Sequence, residues 1–266
     1  MTNLTSRNNP RIKQVRLLRQ RKQRQQTGLF VVEGIRPVGE ALQSGTPVEY
    51  IVYDPERLSS DFACQLIRDQ LQRGLPCLAV DRDLFASLAE KDNPQGILAV
   101  ANQPRTGLAQ LNPTNCPWGV ALISPQDPGN IGTILRTIDA VGASALFLLD
   151  ESADPYQNEA VRASMGALFW HPLVQASFVE FAAWTGLHGY HVYGTSAHGS
   201  VDYHAVSSYF HPLILLLGSE RQGLNAEQAA LCQQLIKLPM RGRVTSLNLA
   251  VAAGVMLYSM LERISP

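Results

Sequence analysis

Residues able to do chemistry cluster near the end of the chain, between Leu216 and Leu261. There an apolar strand enters a glycine-rich turn that carries one acid, Glu220. A second apolar strand leads into Pro239-Met240 and a polar loop, which ends at Ser246-Leu247-Asn248 before a long helix of small residues. Two strand ends so close in sequence can form one ligand pocket at the edge of a parallel sheet.

A third loop of the same strand–loop–helix kind lies upstream, from Asp127 to Ser144. Asn130 in this loop is a candidate N-cap of the helix that follows. Arg136 is predicted in the second turn of that helix, where it has mostly apolar neighbours. An arginine in such surroundings typically binds an anion. Taken alone, the pair also fits a capping residue and a solvated arginine.

Two common nucleotide-binding patterns are excluded by the sequence. Gly218 and Gly223 have the outer spacing of a phosphate loop, but Leu224-Asn225 follows where that loop requires Lys-Ser/Thr. No GxGxxG follows a first strand, so an ordinary Rossmann dinucleotide site is unsupported. What remains is a flexible turn whose backbone can approach a ligand closely, with Glu220 at its rim.

The three segments together resemble the signature motifs of the SpoU/TrmH family of SPOUT RNA 2′-O-ribose methyltransferases. Asn130, Gly132 and Arg136 match its first motif, Asn-x-Gly-x-x-x-Arg. Its second and third motifs, Gly-x-Glu-x-x-Gly-Leu and Pro-Met-x-Gly-x-x-x-Ser-Leu-Asn, are matched by Gly218, Glu220, Gly223 and Leu224, and by Pro239, Met240, Gly242, Ser246, Leu247 and Asn248. Val161–Phe169 also resembles a family segment, and Ala250 departs mildly because the family often has serine there.

The resemblance implies an α/β fold with a C-terminal SPOUT-type parallel-sheet domain, a trefoil knot and a bound S-adenosylmethionine. The residues it assigns to the cofactor are Leu217, Gly218, Gly223, Leu238, Met240, Ser246 and Leu247. Arg136 is expected to stabilise the ribose 2′-oxyanion or an adjacent phosphate, and Asn130 to orient Arg136 or the ribose. Ser246 and Asn248 would complete the polar wall, and Glu220 would order the loops. The family resemblance also implies a homodimer, in which Arg136 serves the partner's cofactor.

The distribution of charge indicates that the N-terminal segment of the chain binds a polyanion. The net charge is zero, with 22 residues of each sign, yet eight basic residues and no acid lie between Met1 and Val32. This asymmetry is typical of a local nucleic-acid contact. The candidates for RNA binding are Arg7, Arg11, Lys13, Arg16, Arg19, Arg21, Lys22 and Arg24. A solvated basic face and an organelle transit peptide are the alternatives.

The order of strand and helix signals predicts two domains. Residues 1–102 are expected to form a small α/β domain, and their sequence resembles the family's ribosomal-protein-like RNA-binding domain. Residues 103–117 are rich in proline, lack apolar periodicity and are predicted to be a linker. Residues 118–266 carry near-continuous apolar strands, which favour a parallel sheet covered on both faces. Helices are predicted at Ile131–Val141, Glu159–Gly166, Phe178–Gly186 and Ser246–Leu261.

Cysteine and histidine usage gives no sign of a disulfide frame or a metal site. The four cysteines lie far apart without a CxxC pair, which favours unpaired thiols in a reducing compartment and a cytoplasmic location. His188 and His191 are separated by a glycine and have no acid or cysteine beside them, so we expect no metal. The longest uncharged apolar run, Leu247 to Leu261, is 15 residues and is better suited to a core helix than to a membrane span.

The motifs and the family resemblance therefore predict S-adenosylmethionine-dependent methylation of a ribose 2′-hydroxyl in structured RNA. The long N-terminal domain resembles the rRNA-directed members more than the minimal tRNA-directed ones, so ribosomal RNA is favoured as substrate. A tRNA 2′-O-methyltransferase and a non-catalytic RNA-binding or ribosome-assembly protein on the same fold stay open as alternatives.

Overall fold

The structure, a computed structural model, describes residues 7–90 and 93–264. Residues 1–6 of the predicted basic head, 91–92 of the predicted first domain and 265–266 lie outside the described part. The chain forms two compact units. The first contains the residues up to Pro104 together with Asp154–Trp170, and the second contains Arg105–Ala153 and the chain from His171 onward.

The described elements are as follows. The helices are α1 (Pro10–Leu17), α2 (Arg21–Thr27), α3 (Ile35–Gln43), α4 (Asp61–Gln72), α5 (Arg82–Leu88), α6 (Pro128–Val141), α7 (Asn158–Ala163), α8 (Phe178–Leu187), α9 (Ala226–Leu231) and α10 (Leu249–Leu261). The strands are β1 (Leu29–Glu33), β2 (Val48–Tyr53), β3 (Cys77–Ala79), β4 (Ile97–Asn102), β5 (Trp118–Ile123), β6 (Ala145–Leu149), β7 (Leu173–Ala176), β8 (His191–Thr195), β9 (Val201–Asp202), β10 (Leu213–Leu217) and β11 (Gln234–Lys237). Short 3-10 helices lie at Leu108–Gln110 and Ala167–Phe169.

The first unit is built around a mixed sheet with the strand order β1-β4-β2-β3. Strand β4 runs antiparallel to β1 and β2, and β2 pairs in parallel with β3. One face of the basic first helix packs into the core, because Ile12, Val15 and Leu18 are all buried with Phe85 of α5. The predicted α/β character of this region is therefore confirmed.

A buried ion pair fixes the segment Asp154–Trp170 within the first unit. Arg24 places Nη2 at 2.7 Å and Nε at 2.8 Å from Asp154 Oδ2, and its Nη1 donates to the carbonyls of Leu18 and Arg19. The side chain is buried, with 4% of Arg24 exposed. The prediction that Arg24 binds RNA is wrong, because all three guanidinium nitrogens already have partners inside the protein.

The second unit contains a seven-stranded sheet with the order β7-β6-β5-β10-β8-β11-β9, in which every neighbouring pair is parallel. The predicted parallel sheet is confirmed. The chain moves outward from β5 through β6 and β7, then returns to the other side at β8. Strands β5 and β10 are adjacent, with Leu122 beside Leu217. Their following loops therefore begin side by side, at the switch point where open α/β sheets bind ligands.

The predicted linker differs from what the structure shows. From Arg105 onward it belongs to the second unit, where Leu111 and Cys116 are buried in the core. Their carbonyls accept hydrogen bonds from Trp184 Nε1 at 3.2 Å and from the Tyr190 hydroxyl at 2.7 Å. Two isolated apolar residues among prolines give no periodicity, which is why the sequence pattern missed this packing.

The cysteines are free thiols, as the sequence pattern predicted. Burial raises the pKa of the Cys77 and Cys116 thiols to about 11 and that of Cys232 to about 12. These three thiols therefore stay protonated near neutral pH, and a protonated thiol is a weak nucleophile. Within residues 7–90 and 93–264, no helix has the length and apolar character needed to span a membrane.

Candidate active site and RNA-binding surface

The first motif lies at the N-terminus of α6. The helix is capped by Asp127, whose carboxylate accepts from the Gly129 N–H at 2.7 Å, and Pro128 occupies the first helical position. The prediction that Asn130 is the N-cap is wrong, since Asn130 lies inside the first turn. The Asp-Pro pair was the signal that could have located the helix start. Because Asp127 caps the helix, the buried Asn130 side chain is available for other partners.

A relay of three side chains connects the three motifs. Asn130 Nδ2 donates to Glu220 Oε1 at 2.5 Å, and Asn248 Nδ2 donates to Asn130 Oδ1 at 3.0 Å. Asn248 Oδ1 in turn accepts from the backbone N–H groups of Ala250 and Val251, at 2.9 and 3.3 Å. The structure thus brings together Asn130, Glu220 and Asn248, which sequence reasoning placed in one site.

Two features of the fold position the relay. Adjacent β5 and β10 deliver Asn130 and Glu220 to the same edge of the sheet, and α10 packs against α6, which brings Asn248 to Asn130. Glu220 is further fixed by the backbone N–H of Gln126, which donates to Oε2 at 3.3 Å. Sequence reasoning missed Gln126 because its backbone group, rather than its side chain, makes the contact.

The backbone immediately after β5 is strained. Ser124 has φ of 45°, in the left-handed region that a residue with a side chain rarely adopts. Strain of this kind commonly lies at functional sites, where the surrounding structure holds it in place. Here it turns the chain between β5 and the loop that supplies Gln126.

Ser246 and Arg136 lie outside the relay. Helix α10 begins at Leu249 and is capped by Asn248, so the prediction that the helix starts at Ser246 is wrong. Arg136 lies in the third turn of α6 rather than the second, and its side chain is exposed. Six residues of helix turn it roughly 120° away from Asn130. Among the described residues, neither Ser246 nor Arg136 has a hydrogen-bond partner from its side chain.

The residues predicted to hold the cofactor lie in two loops whose backbone a ligand can approach closely. A Cβ on Gly218 would lie 2.3 Å from the Gly223 carbonyl carbon and 2.5 Å from the Leu224 nitrogen, so only glycine fits. Ser219 and Gly223 exchange two backbone hydrogen bonds, which closes this turn. From Leu238 to Leu247, no backbone N–H group has a partner within the described part of the chain. These donor groups and the tight glycine turn fit the adenosine and methionine portions of S-adenosylmethionine.

Two family models match the chain, over separate ranges of residues. Residues 117–258 match the SpoU rRNA methylase family, and residues 9–99 match the MRM3-like substrate binding domain. The first match covers more than half of the 266 residues and contains all three motifs. The chain belongs to the SpoU rRNA methylase family.

Characterised members of the SpoU family are similar over nearly the full length. The chain is 35% identical to the 23S rRNA (uridine(2479)-2′-O)-methyltransferase of Streptomyces viridochromogenes, over 94% of this chain and 88% of that protein. It is 31% identical to the 23S rRNA (guanosine(2553)-2′-O)-methyltransferase RlmP of Bacillus subtilis, over 97% and 98%. The crystal structure of an AdoMet-bound rRNA methyltransferase from Sinorhizobium meliloti superposes with a TM-score of 0.88 at 37% identity, covering 97% and 96% of the two chains.

The basic residues of the first unit differ in burial and in their hydrogen bonds to the protein. Arg16 donates to the Ser87 hydroxyl at 3.1 Å, and Arg19 donates to the carbonyls of Leu88 and Ala89 at the end of α5, both at 3.0 Å. These two arginines, like Arg24, stabilise the unit. The predicted RNA-binding residues that are exposed are Arg7, Arg11, Lys13, Arg19, Arg21 and Lys22, so Arg19 bonds to the protein and is also open to solvent.

The segment Val161–Phe169, which resembles a family motif, belongs to the first unit. Ser164 is buried there, and Met165 adopts a left-handed backbone with φ of 53°. Within the described ranges, no group of three or more histidine, cysteine, aspartate or glutamate side chains is arranged to hold a metal ion.

Proposed function

We propose that this SpoU family protein transfers the methyl group of S-adenosylmethionine to a ribose 2′-hydroxyl of ribosomal RNA. The observation that carries the proposal is the Glu220–Asn130–Asn248 relay, which joins the three family motifs at the carboxyl edge of a parallel sheet. The names of the two 23S rRNA methyltransferases that are similar along the whole chain support ribosomal RNA as substrate.

When bound, the cofactor supplies a methyl group on a positively charged sulfur. A sugar hydroxyl is a poor nucleophile, so the site has to align it and stabilise negative charge on its oxygen. A guanidinium stays protonated at neutral pH, so Arg136 contributes positive charge and does not accept the proton. Asn130 and Asn248 hold the three motif loops in place through the relay, and Ser246 adds a polar group to the wall of the site.

The backbone around Leu217, Gly218 and Gly223 forms one side of the proposed cofactor site. Leu238, Met240, Ser246 and Leu247 supply the other side, with N–H groups that lack protein partners within the described residues. Glu220 connects the first side to the second through Asn130, which donates to Glu220 and accepts from Asn248 just after Leu247. In this arrangement Glu220 is a positioning residue.

We propose that the active form is a homodimer and that Arg136 completes the partner's site. Helix α10 has an exposed apolar face formed by Val251, Tyr258 and Leu261. Such a face on a helix next to α6, which carries the exposed Arg136, suits a symmetric contact with a second copy. A partner copy there would cover the apolar face and add its own Arg136 beside the cofactor.

The exposed basic residues of α1 and α2 are proposed to bind RNA phosphates, which position the substrate without reading its sequence. Both the trefoil knot expected from the family resemblance and the cytoplasmic location stay predictions.

The proposal is tested by methyl transfer from labelled S-adenosylmethionine to unmodified ribosomal RNA and to tRNA, followed by nucleoside mass spectrometry. We expect a 2′-O-methylnucleoside from ribosomal RNA. Arg136→Ala should lower turnover by about 100-fold or more while cofactor binding persists, since one transition-state charge contact is lost. The matched control is Arg105→Ala, which removes an exposed arginine of the same unit.

Other outcomes distinguish the remaining readings. Near-normal turnover of Arg136→Ala with intact cofactor binding would make the proposed arrangement wrong. Methylation of tRNA alone would favour the tRNA-directed alternative. Absence of cofactor binding would favour the non-catalytic RNA-binding or ribosome-assembly protein.

A further inference from the structure

A cavity of about 330 Å³ lies on the first unit, between α3 and the start of α4. Its lining combines an aromatic ring, a guanidinium, a carboxylate and two carboxamides; the residues are Ile35, Arg36, Gly39, Glu40, Gln43, Phe62 and Gln95. The volume is at the lower end of the range for small-ligand sites.

Phe62 is unusual in being a large aromatic residue left open to solvent, with 54% of its surface exposed. The ring packs against Gly39 of α3, where a Cβ would lie 3.4 Å from the tip of the ring, in ordinary van der Waals contact. The exposed ring therefore lies against a helix surface that has no side chain at the contact.

The polar groups of the cavity are held in place but keep free donors. Gln95 Oε1 accepts from the Ile35 N–H at 3.0 Å, which fixes the carboxamide at the start of α3. Within the described residues, Gln95 Nε2 and the Gln43 carboxamide have no hydrogen-bond partner. Glu40 accepts from Trp170 Nε1 at 2.9 Å, and the exposed Arg36 lies 3.7 Å from the other oxygen of the same carboxylate.

These groups favour an uncharged planar ligand. Arg36 and Glu40 cancel in charge, so the cavity does not attract a phosphate as the basic helices do. An aromatic face with carboxamides around it matches a nucleobase, which stacks on the ring and presents donors and acceptors at its edge. On this basis we infer that the cavity binds one unpaired base of the RNA substrate, stacked on Phe62 and hydrogen-bonded by Gln43 and Gln95.

The inference rests on the proposed function, because it takes RNA as the substrate. It adds a contact with single-stranded RNA that is separate from the phosphate contacts of α1 and α2. Duplex RNA, whose bases are already stacked, should bind without using this cavity.

The test measures binding of fluorescein-labelled oligouridylate and oligoadenylate, about six nucleotides long, and of a short RNA duplex. Phe62→Ala and Phe62→Leu should weaken single-strand binding about tenfold and leave duplex binding unchanged, whereas Phe62→Tyr should keep the wild-type affinity. Gln43→Ala should weaken single-strand binding several-fold, because one proposed hydrogen bond to the base is lost, and Gln72→Ala, at the far end of α4, is the matched control.

A second readout uses Trp170, which is 51% exposed, whereas Trp118 and Trp184 are buried. Unlabelled single-stranded probe should quench its fluorescence in the wild-type protein and not in Phe62→Ala. Wild-type affinity in Phe62→Ala would overturn the inference, and so would wild-type affinity in Phe62→Leu, because stacking requires the aromatic ring. Methyl transfer is not part of this assay, so its absence would contradict the proposed function alone.

Discussion

The Asn130 carboxamide uses its nitrogen for Glu220 and its oxygen for Asn248. The donor and the acceptor of this side chain are therefore both in use. The Glu220 carboxylate accepts, and Asn248 donates with Nδ2 because its Oδ1 already accepts from the Ala250 N–H. A carboxylate in this position could not donate to Glu220 unless one of the two acids were protonated. The relay thus depends on asparagine itself and not on any small polar residue.

We predict that Asn130→Asp lowers methyl transfer more than Asn130→Ala, by about 100-fold against about tenfold. The new carboxylate would face Glu220 at hydrogen-bond distance, and two adjacent carboxylates raise the pKa of one of them. Lowering the pH should therefore restore part of the activity of Asn130→Asp, since a shared proton replaces the repulsion by a hydrogen bond. Rates measured from pH 5 to pH 8 would show this.

Asn225→Asp is the matched control for this change. Asn225 caps α9, and aspartate caps a helix as well as asparagine does. Its activity should follow the wild-type pH profile. Equal rates for Asn130→Asp and the wild-type protein at pH 8 would mean that the relay has no part in catalysis.

At the scale of elements, α1 and α2 each combine a structural face with a basic face. On α1, Ile12 and Val15 are buried while Lys13 is exposed, and on α2 the buried Arg24 contrasts with the exposed Lys22. The same short helices therefore hold the first unit together and present positive charge to solvent.

The two functions can be separated by substitution. Lys13→Ala with Lys22→Ala should weaken RNA binding and reduce the slope of log affinity against log salt by about 2, roughly one for each lost phosphate contact. The unfolding temperature should stay unchanged, since neither side chain is buried. Binding measured across a salt series checks this, with Arg68→Ala and Arg73→Ala on α4 as a charge-matched control. An unchanged salt slope would favour the solvated basic face.

At the scale of the whole molecule, the proposed dimer makes each active site depend on two chains. Mixing Arg136→Ala with Asn130→Ala tests this directly. If Arg136 acts across the interface, each mixed dimer contains one site with both residues intact, and an equal mixture should recover about a quarter of wild-type activity. If Arg136 acts within its own chain, no mixed site is complete and activity should stay at the level of the separate variants.

A Tyr258→Glu substitution in both chains provides the control, because a charge on the exposed face of α10 should prevent the contact. Sedimentation should then show a monomer, and mixing should restore nothing. Recovery of activity without any dimer would contradict the proposal.

The sequence predicted the buried strands and the motif residues of this protein, and it missed contacts between residues that are distant in sequence. Strands such as β5 and β10 were readable from continuous apolar runs, and the motif residues Asn130, Glu220 and Asn248 converge as predicted. The sequence could not predict that the Arg24 side chain is buried, because its partner Asp154 lies 130 residues away. The predicted starts of α6 and α10 were also wrong. Their N-caps, Asp127 and Asn248, each lie close in sequence to other polar residues that can cap a helix.

The first unit is completed by a segment, Asp154–Trp170, that the chain supplies only after it has begun the second unit. During synthesis, Arg24 leaves the ribosome long before Asp154. Its ion pair with Asp154 therefore cannot form until β5, α6 and β6 have been synthesised. A chain cut after Asn102 would keep four strands and lack the acid that neutralises this arginine. The two units therefore overlap along the sequence. The first unit can be completed only after synthesis of the second unit has begun.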